Sequence, residues 1–323
     1  MMDESRRRAL TLRAQLYAFV RAFFAERGVL EVDTPILGQG ATTDANIESF
    51  ASHYTGPASG GARRRFLRTS PEFWHKRLLV EDVGDCYELG RVFRNGECGR
   101  RHNPEFTLLE WYRAGFDHHR LMDEVEALVR GAFARVGLMP GASERIAYRA
   151  LFQRHLGIDP LTAPDADLQR LTARFWVGED APDRDGCLDA LMTHCVEPAL
   201  PVDGLTFVHG YPASQAALAR VHDDIDGQRI AARFELYVGR VELANGFHEL
   251  ADADEQRARF EADNRMRFAR GLDTLPSDEN FLAALARGLP ACAGVALGVD
   301  RLLMALLGSD DIRDVLAFSF PDA

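Results

Sequence analysis

Tyr87-Glu88-Leu89-Gly90-Arg91-Val92-Phe93-Arg94 and Glu105-Phe106-Thr107-Leu108-Leu109-Glu110-Trp111-Tyr112-Arg113 both read as β-strands, separated by a polar stretch rich in Gly, Arg and Asn. Two such runs in succession predict a long antiparallel hairpin. In the second run Phe106, Leu108, Glu110 and Tyr112 share one face, because side chains alternate along a strand. Upstream, Leu12, Leu16, Phe19, Val20, Phe23 and Phe24 recur at helical spacing within residues 5–27, and Gly28 ends the pattern. Val29-Leu30-Glu31-Val32 reads as a short strand stopped by Pro35, and residues 56–61 as a loop. Downstream, residues 121–136 read as a helix and residues up to about Asp203 as short helices broken by Pro and Asp. Residues 234–250 have strand character, 252–270 form a charged helix, and the apolar strand 294–299 leads into a helix from about Asp300. No internal repeat interrupts this order. Antiparallel strands interspersed with helices predict an α+β fold, an antiparallel sheet flanked by helices.

The composition excludes some classes of function. Apolar runs such as 295–299 and 302–307 are far shorter than the ~20 residues of a membrane span, so no membrane helix is expected. The N-terminal Asp3-Glu4-Ser5-Arg6-Arg7-Arg8 lacks the apolar core of a signal peptide, which implies a cytoplasmic protein. Five cysteines at Cys86, Cys98, Cys187, Cys195 and Cys292 form no CxxC pair and no zinc spacing, so reduced thiols are expected. A net charge of -11 argues against a large surface for nucleic-acid phosphate.

Four segments carry residues suited to chemistry. Arg94 opens the polar loop holding Arg100, Arg101, His102 and Asn103, so several donors could converge on an anion, although the spacing also suits a solvated hairpin tip. No GxxxxGK[ST] loop is present in the sequence. A two-residue turn at Val238-Gly239 would set Glu235 opposite Glu242, tolerable if one carboxyl is protonated, a Lys or Arg intervenes, or a divalent cation such as Mg²⁺ bridges them. Asn245, Phe247 and Glu249 alternate, presenting an amide, a ring and a carboxylate on one face able to hold an ammonium group. Gly294-Val295-Ala296-Leu297-Gly298-Val299-Asp300-Arg301 joins a strand to a helix start, where backbone amides favour phosphate beside Arg301; a capping Asp300 paired to Arg301 is the structural alternative.

In this order the segments resemble the three motifs of class II aminoacyl-tRNA synthetases. Gly28-Val29-Leu30-Glu31-Val32-Asp33-Thr34-Pro35 looks like motif 1, Phe93-Arg94-Asn95 through Arg101-His102-Asn103-Pro104-Glu105-Phe106 like motif 2, and Gly294 to Arg301 like motif 3. His102-Asn103-Pro104-Glu105-Phe106-Thr107 and Glu242-Leu243-Ala244-Asn245-Gly246-Phe247-His248-Glu249-Leu250 resemble the lysine-specific branch. Motif 1 begins about 28 residues from the first residue, which leads us to expect a single catalytic domain over residues 1–323 without an OB anticodon-binding domain. Such a domain is similar to the ligases that join (R)-β-lysine to a lysine of elongation factor P, as are Thr69-Ser70-Pro71-Glu72 and Pro212-Ala213-Ser214-Gln215-Ala216.

The resemblance implies ATP and Mg²⁺ as cofactors, elongation factor P as acceptor, (R)-β-lysine as substrate, a homodimer, and no dependence on tRNA or membrane. It implies that Arg94 holds the α-phosphate and Arg301 the γ-phosphate, Phe106 stacks on adenine, Asn95, Asn103, Leu243 and Gly298 help bind ATP, and Glu235 and Glu242 coordinate Mg²⁺. Ser70, Pro71, Glu72, Glu110, Tyr112, Asn245, Phe247, Glu249 and Ala296 would line the amino-acid pocket. Ala296 stands where the synthetases usually have glycine, and one methyl group can shift preference between isomers. The chain departs from the motif 2 pattern Arg-Asn-Glu, having Gly96 followed by Glu97, so no catalytic part falls to Gly96. A ligase with tRNA or another acceptor, or a non-catalytic regulatory paralogue, are the alternatives.

Overall fold

The apolar spacing of the first segment produces helix α1 (Glu4–Ala25) in the computed structural model, which describes residues 4–57, 63–177 and 181–323. Its buried face carries Leu12, Leu16, Val20, Phe23 and Phe24. Phe24 stacks on Tyr87 at 4.4 Å and meets Trp111 edge-on, which locks the helix to the sheet. Strands β1 (Leu30–Glu31), β2 (Leu37–Gly38), β3 (Ala51–His53) and β4 (Arg64–Leu67) follow, then α2 (Glu72–Val80), β5 (Cys86–Phe93), β6 (Glu105–Ala114) and α3 (His118–Arg135). Next come β7 (Ser143–Ala147), α4 (Tyr148–Leu156), α5 (Asp165–Thr172), α6 (Arg184–Leu191), β8 (Leu205–Pro212) and β9 (Val221–Asp223). The chain ends through β10 (Arg229–Val238), β11 (Val241–His248), α7 (Ala253–Ala269), α8 (Glu279–Gly288), β12 (Cys292–Gly298) and α9 (Val299–Leu307). Residues 58–61 of the loop expected at 56–61 lie outside the described residues.

The main sheet runs β1-β5-β6-β12-β11-β10-β8-β7, with β9 on β10. Its interior is antiparallel, as expected, while β1 joins β5 and β7 joins β8 in parallel at the two ends. Alternation gives the two faces different tasks. In β12, Ala293, Val295 and Leu297 enter the core with α1, α3 and α9, whereas Gly294, Ala296 and Gly298 open onto a cavity.

Two regions differ from expectation. The short helices before Asp203 are present, but β7 was not anticipated, since only Ile146 of its five residues is buried and no period-two signal arises. The hairpin of β10 and β11 turns at Gly239 and Arg240 instead of Val238 and Gly239. Gly239 takes φ +59°, and a Cβ there would sit 2.5 Å from the Val202 carbonyl oxygen, so glycine must open the turn. With a bulge between Leu236 and Tyr237, Glu235 pairs with Asn245 and Glu242 with Tyr237, correcting the expected Glu235–Glu242 pairing. Glu235 and Tyr237 are two apart, so both carboxylates still share one face. Among the described residues no helix is long and apolar enough to cross a membrane.

Candidate active site

Register assembles the site from residues distant in sequence. Across β6, β12, β11 and β10, Glu110 pairs with Ala296, Ala296 with Asn245, and Asn245 with Glu235. One step along, Tyr112 pairs with Gly294, Gly294 with Phe247, and Phe247 with Arg233. Both rows face a cavity of about 1610 Å³, room for a nucleotide and a second small molecule together.

One end carries two arginines, Arg94 and Arg301. Arg94, just after β5, lies over the Phe106 ring at 5.1 Å, and its buried Nε has no hydrogen-bond partner among the described residues. Arg301, in the first turn of α9, donates to the Glu242 carbonyl at 2.8 Å and to its carboxylate at 3.2 Å. A further Arg301 N–H lies 2.8 Å from His102 Nε2, which must accept, so His102 is neutral with its proton on Nδ1. Burial together with Arg301 pushes the His102 imidazole below its ordinary value. Asp300 does not pair with Arg301: it binds Arg13 and accepts from the Thr107 backbone N–H at 2.7 Å, tying α9 to α1 and β6.

Glu235 and Glu242 meet the same end. Glu235 accepts from Tyr211 and Tyr237 hydroxyls at 2.7 Å and from Arg233 at 2.5 Å, leaving about one of its roughly four acceptor sites free. Burial and the Glu235 charge push the Glu242 carboxyl above its ordinary value. A divalent cation between the two would relieve that repulsion, so the donor set fits Mg²⁺ with Glu242 as the more available ligand. Glu197, also at this wall, is pushed up to about 7 by burial and by Glu235 and Glu242.

The other end is acidic. Pro71 caps α2, and Glu72 in the first turn places its carboxylate near the helix N-terminus. Ser70 Oγ and Tyr112 OH each donate to Glu110 at 2.8 Å. Glu249 lies just beyond β11, 1% exposed, and neither Oε1 nor Oε2 has a hydrogen-bond partner among the described residues. Gly294 makes that possible, because a Cβ there would be 2.5 Å from Glu249 Oε1 and 2.2 Å from Tyr112 Cε1. Burial and the Glu72 charge push the Glu110 carboxyl up to about 8. Burial also pushes Glu249 up, opposed by Lys76, whose ammonium lies 2.7 Å away.

Of the expected site residues, Ser70, Glu72, Arg94, Asn103, Phe106 and Glu110 line the cavity, as do Tyr112, Glu235, Glu242, Leu243, Asn245, Phe247, Glu249, Ala296, Gly298 and Arg301. Asn95 is exposed and Pro71 is packed as a cap, and neither lines it. Asn103 is anchored structurally, its amide donating to the Glu105 carbonyl and accepting from Phe320 N–H. Gly96 takes φ +83°, and Glu97 after it lines the cavity 3.7 Å from Arg94. Lys76, Glu197 and Arg233 escaped the sequence reading; for Lys76 the four-residue spacing from Glu72 was the available signal.

Residues 1–321 match the family described as tRNA synthetases class II (D, K and N). The chain is 48% identical over 312 residues to an "Elongation factor P--(R)-beta-lysine ligase" of Yersinia enterocolitica, covering 96% of this chain and 94% of the relative. It is 47% identical over 313 residues to the protein of that name in Salmonella paratyphi B, and 47% identical over 312 residues to that of Proteus mirabilis, with the same 96% and 94% coverage. Three motifs on one antiparallel sheet, a cavity with arginines at one end and carboxylates at the other, and a match over nearly the whole chain agree: this protein belongs to the class II tRNA synthetase family, whose catalytic domains use ATP.

Proposed function

We propose that this protein activates (R)-β-lysine with ATP as an aminoacyl adenylate and transfers it to the ε-amine of a lysine on elongation factor P. The observation that carries this is the polarity of the cavity: Arg94, whose Nε has no hydrogen-bond partner among the described residues, and Arg301 face one end, and the carboxylates of Glu72, Glu110 and Glu249 the other, on a chain similar to ligases of that name. ATP would lie with its adenine on Phe106, its α-phosphate at Arg94 and its γ-phosphate at Arg301. The substrate carboxylate attacks the α-phosphorus in line and pyrophosphate leaves, while Arg94 offsets the developing charge. The neutral acceptor amine then attacks the acyl carbonyl, an amide forms, and AMP departs. Glu235 and Glu242 would hold Mg²⁺, which supplies charge neutralisation at the phosphates when bound. Glu97, beside Arg94, is the carboxylate for the role that Gly96 cannot fill.

We read the chain as a single catalytic domain that dimerises through motif 1, where Leu30 is exposed, as are Ile36 and Leu37 just after it. A translation-factor acceptor would place it in the cytoplasm, and the net charge of -11 disfavours tRNA. Pyrophosphate exchange dependent on lysine isomers tests the first step. Exchange with (R)-β-lysine is expected, and its absence with every amino acid supplied would reject adenylate formation.

Two further results are expected. Glu110 must be ionised to face an ammonium group, and below about 8 it is protonated, so substrate binding displaces a proton. The KM for the diamino acid should fall as pH rises from about 6.5 to 8, by up to about tenfold per unit, and level off until the substrate amines deprotonate. Glu110→Gln should flatten this profile; a KM independent of pH in the unaltered enzyme would reject the link. Ala296 sits between Glu110 and Asn245, so Ala296→Gly removes a methyl from the middle of the pocket floor. The kcat/KM ratio of α- to β-lysine should rise about tenfold, read by exchange with each isomer.

A further inference from the structure

Glu72, Glu110 and Glu249 all face the cavity, whereas the cation that serves them does not. Lys76, one turn along α2 from Glu72, is fully buried behind the wall. Its Nζ lies 2.5 Å from Glu72 Oε1 and 2.7 Å from Glu249 Oε2, with the Phe281 ring of α8 at 5.8 Å. A buried lysine is retained only where carboxylates offset its desolvation, and here both partners belong to the pocket. We propose that Lys76 is a positioning residue that neutralises one of three pocket carboxylates and fixes Glu72 and Glu249, leaving two net negative charges for a diamino acid with two ammonium groups. This assignment rests on the function proposed above.

The neighbouring charges support it. Arg68, the other buried cation nearby, is committed to Glu88 at 2.6 Å, and His75 on α2 also faces Glu88. Arg220 donates to the Glu249 backbone carbonyl at 2.7 Å. From β6, the neutral Tyr112 hydroxyl donates a hydrogen bond to Glu110; from β12, the Cys292 thiol is pushed up by burial and by Glu249 and stays neutral. Lys76 is therefore the side-chain cation paired with Glu72 and Glu249 among the described residues. Burial lowers its ammonium, but Glu249 and Glu72 outweigh this and hold it above the ordinary lysine value. Neither oxygen of Glu249 has a hydrogen-bond partner among the described residues, but Oε2 lies in an ion pair with Lys76, so Oε1, beside Gly294, is the oxygen left to the ligand.

The test compares Lys76→Met and Lys76→Gln with Lys76→Arg, using (R)-β-lysine and pyrophosphate exchange. In the neutral variants the diamino-acid KM should rise more than about tenfold with the KM for ATP unchanged, and the midpoint of its pH dependence should move up by about one unit. Lys76→Arg should keep the original midpoint although its KM rises. A folded neutral variant with the original KM and midpoint would overturn the assignment; if neither neutral variant folds, a displaced midpoint in Lys76→Arg would do so. Infrared titration of the protonated carboxyl stretch, run without substrate, separates this from the functional proposal: the neutral variants should titrate higher, and an unchanged titration rejects the role of Lys76. Absence of exchange in the unaltered enzyme with any diamino acid would reject the proposed substrate instead, and with it the match to two ammonium groups.

Discussion

Arg94→Ala should lower kcat for adenylate formation by about 10²–10³, measured as pyrophosphate exchange at saturating ATP and amino acid. Arg94 has a buried Nε without a hydrogen-bond partner among the described residues and lies across Phe106, so on the proposed reading its guanidinium would be held in advance where charge develops on the α-phosphate. Preorganisation of this kind contributes most in the transition state, so the loss belongs mainly to kcat, with a smaller rise in the KM for ATP. Lys at the same position should recover only part of the loss, because a point charge cannot both stack and donate along a fork. A variant with unchanged kcat would remove Arg94 from the phosphate site.

Glu249→Gln should act on the other substrate. The change leaves a buried ammonium facing an amide, and removing one partner of a buried ion pair costs about 3–5 kcal/mol. The expected loss is about 10² or more in kcat/KM for the diamino acid, expressed in KM while the KM for ATP holds. Part of that cost arises before substrate enters, since Lys76 would keep only Glu72. Thermal unfolding of the variant separates the two contributions: a large KM change with a small change in Tm identifies Glu249 as a ligand of the substrate. An unaltered KM would place Glu249 outside the pocket.

The fold was legible where the sequence has strong periodicity. The helical spacing of α1 reported a face that is buried in fact, and the alternation in β6 reported the face that lines the cavity. Part of the candidate site was legible because its residues alternate along strands, so one face of β6 and one of β11 both line the cavity. Register was less accessible. At Gly239 the turn lies against the Val202 backbone, which comes from a distant segment, and no local pattern around Glu235 and Glu242 reports that contact or the bulge at Leu236–Tyr237. Lys76 illustrates a related limit. A Glu-x-x-x-Lys spacing on a helix is ordinarily a surface pair, and only the packing of α2 against α8 and the sheet, which buries Lys76 beside Glu249, makes it part of the pocket. Motif position suggests Asn95 as a ligand, whereas its side chain is exposed and its backbone bridges to Glu48, outside the residues that line the cavity.

The central claim is tested most directly by mass spectrometry of purified elongation factor P incubated with this enzyme, ATP and either (R)-β-lysine or L-α-lysine. One lysyl mass increment on the factor, dependent on ATP and larger with the β isomer, is expected. No increment with either isomer, from enzyme that catalyses pyrophosphate exchange, would contradict elongation factor P as the acceptor.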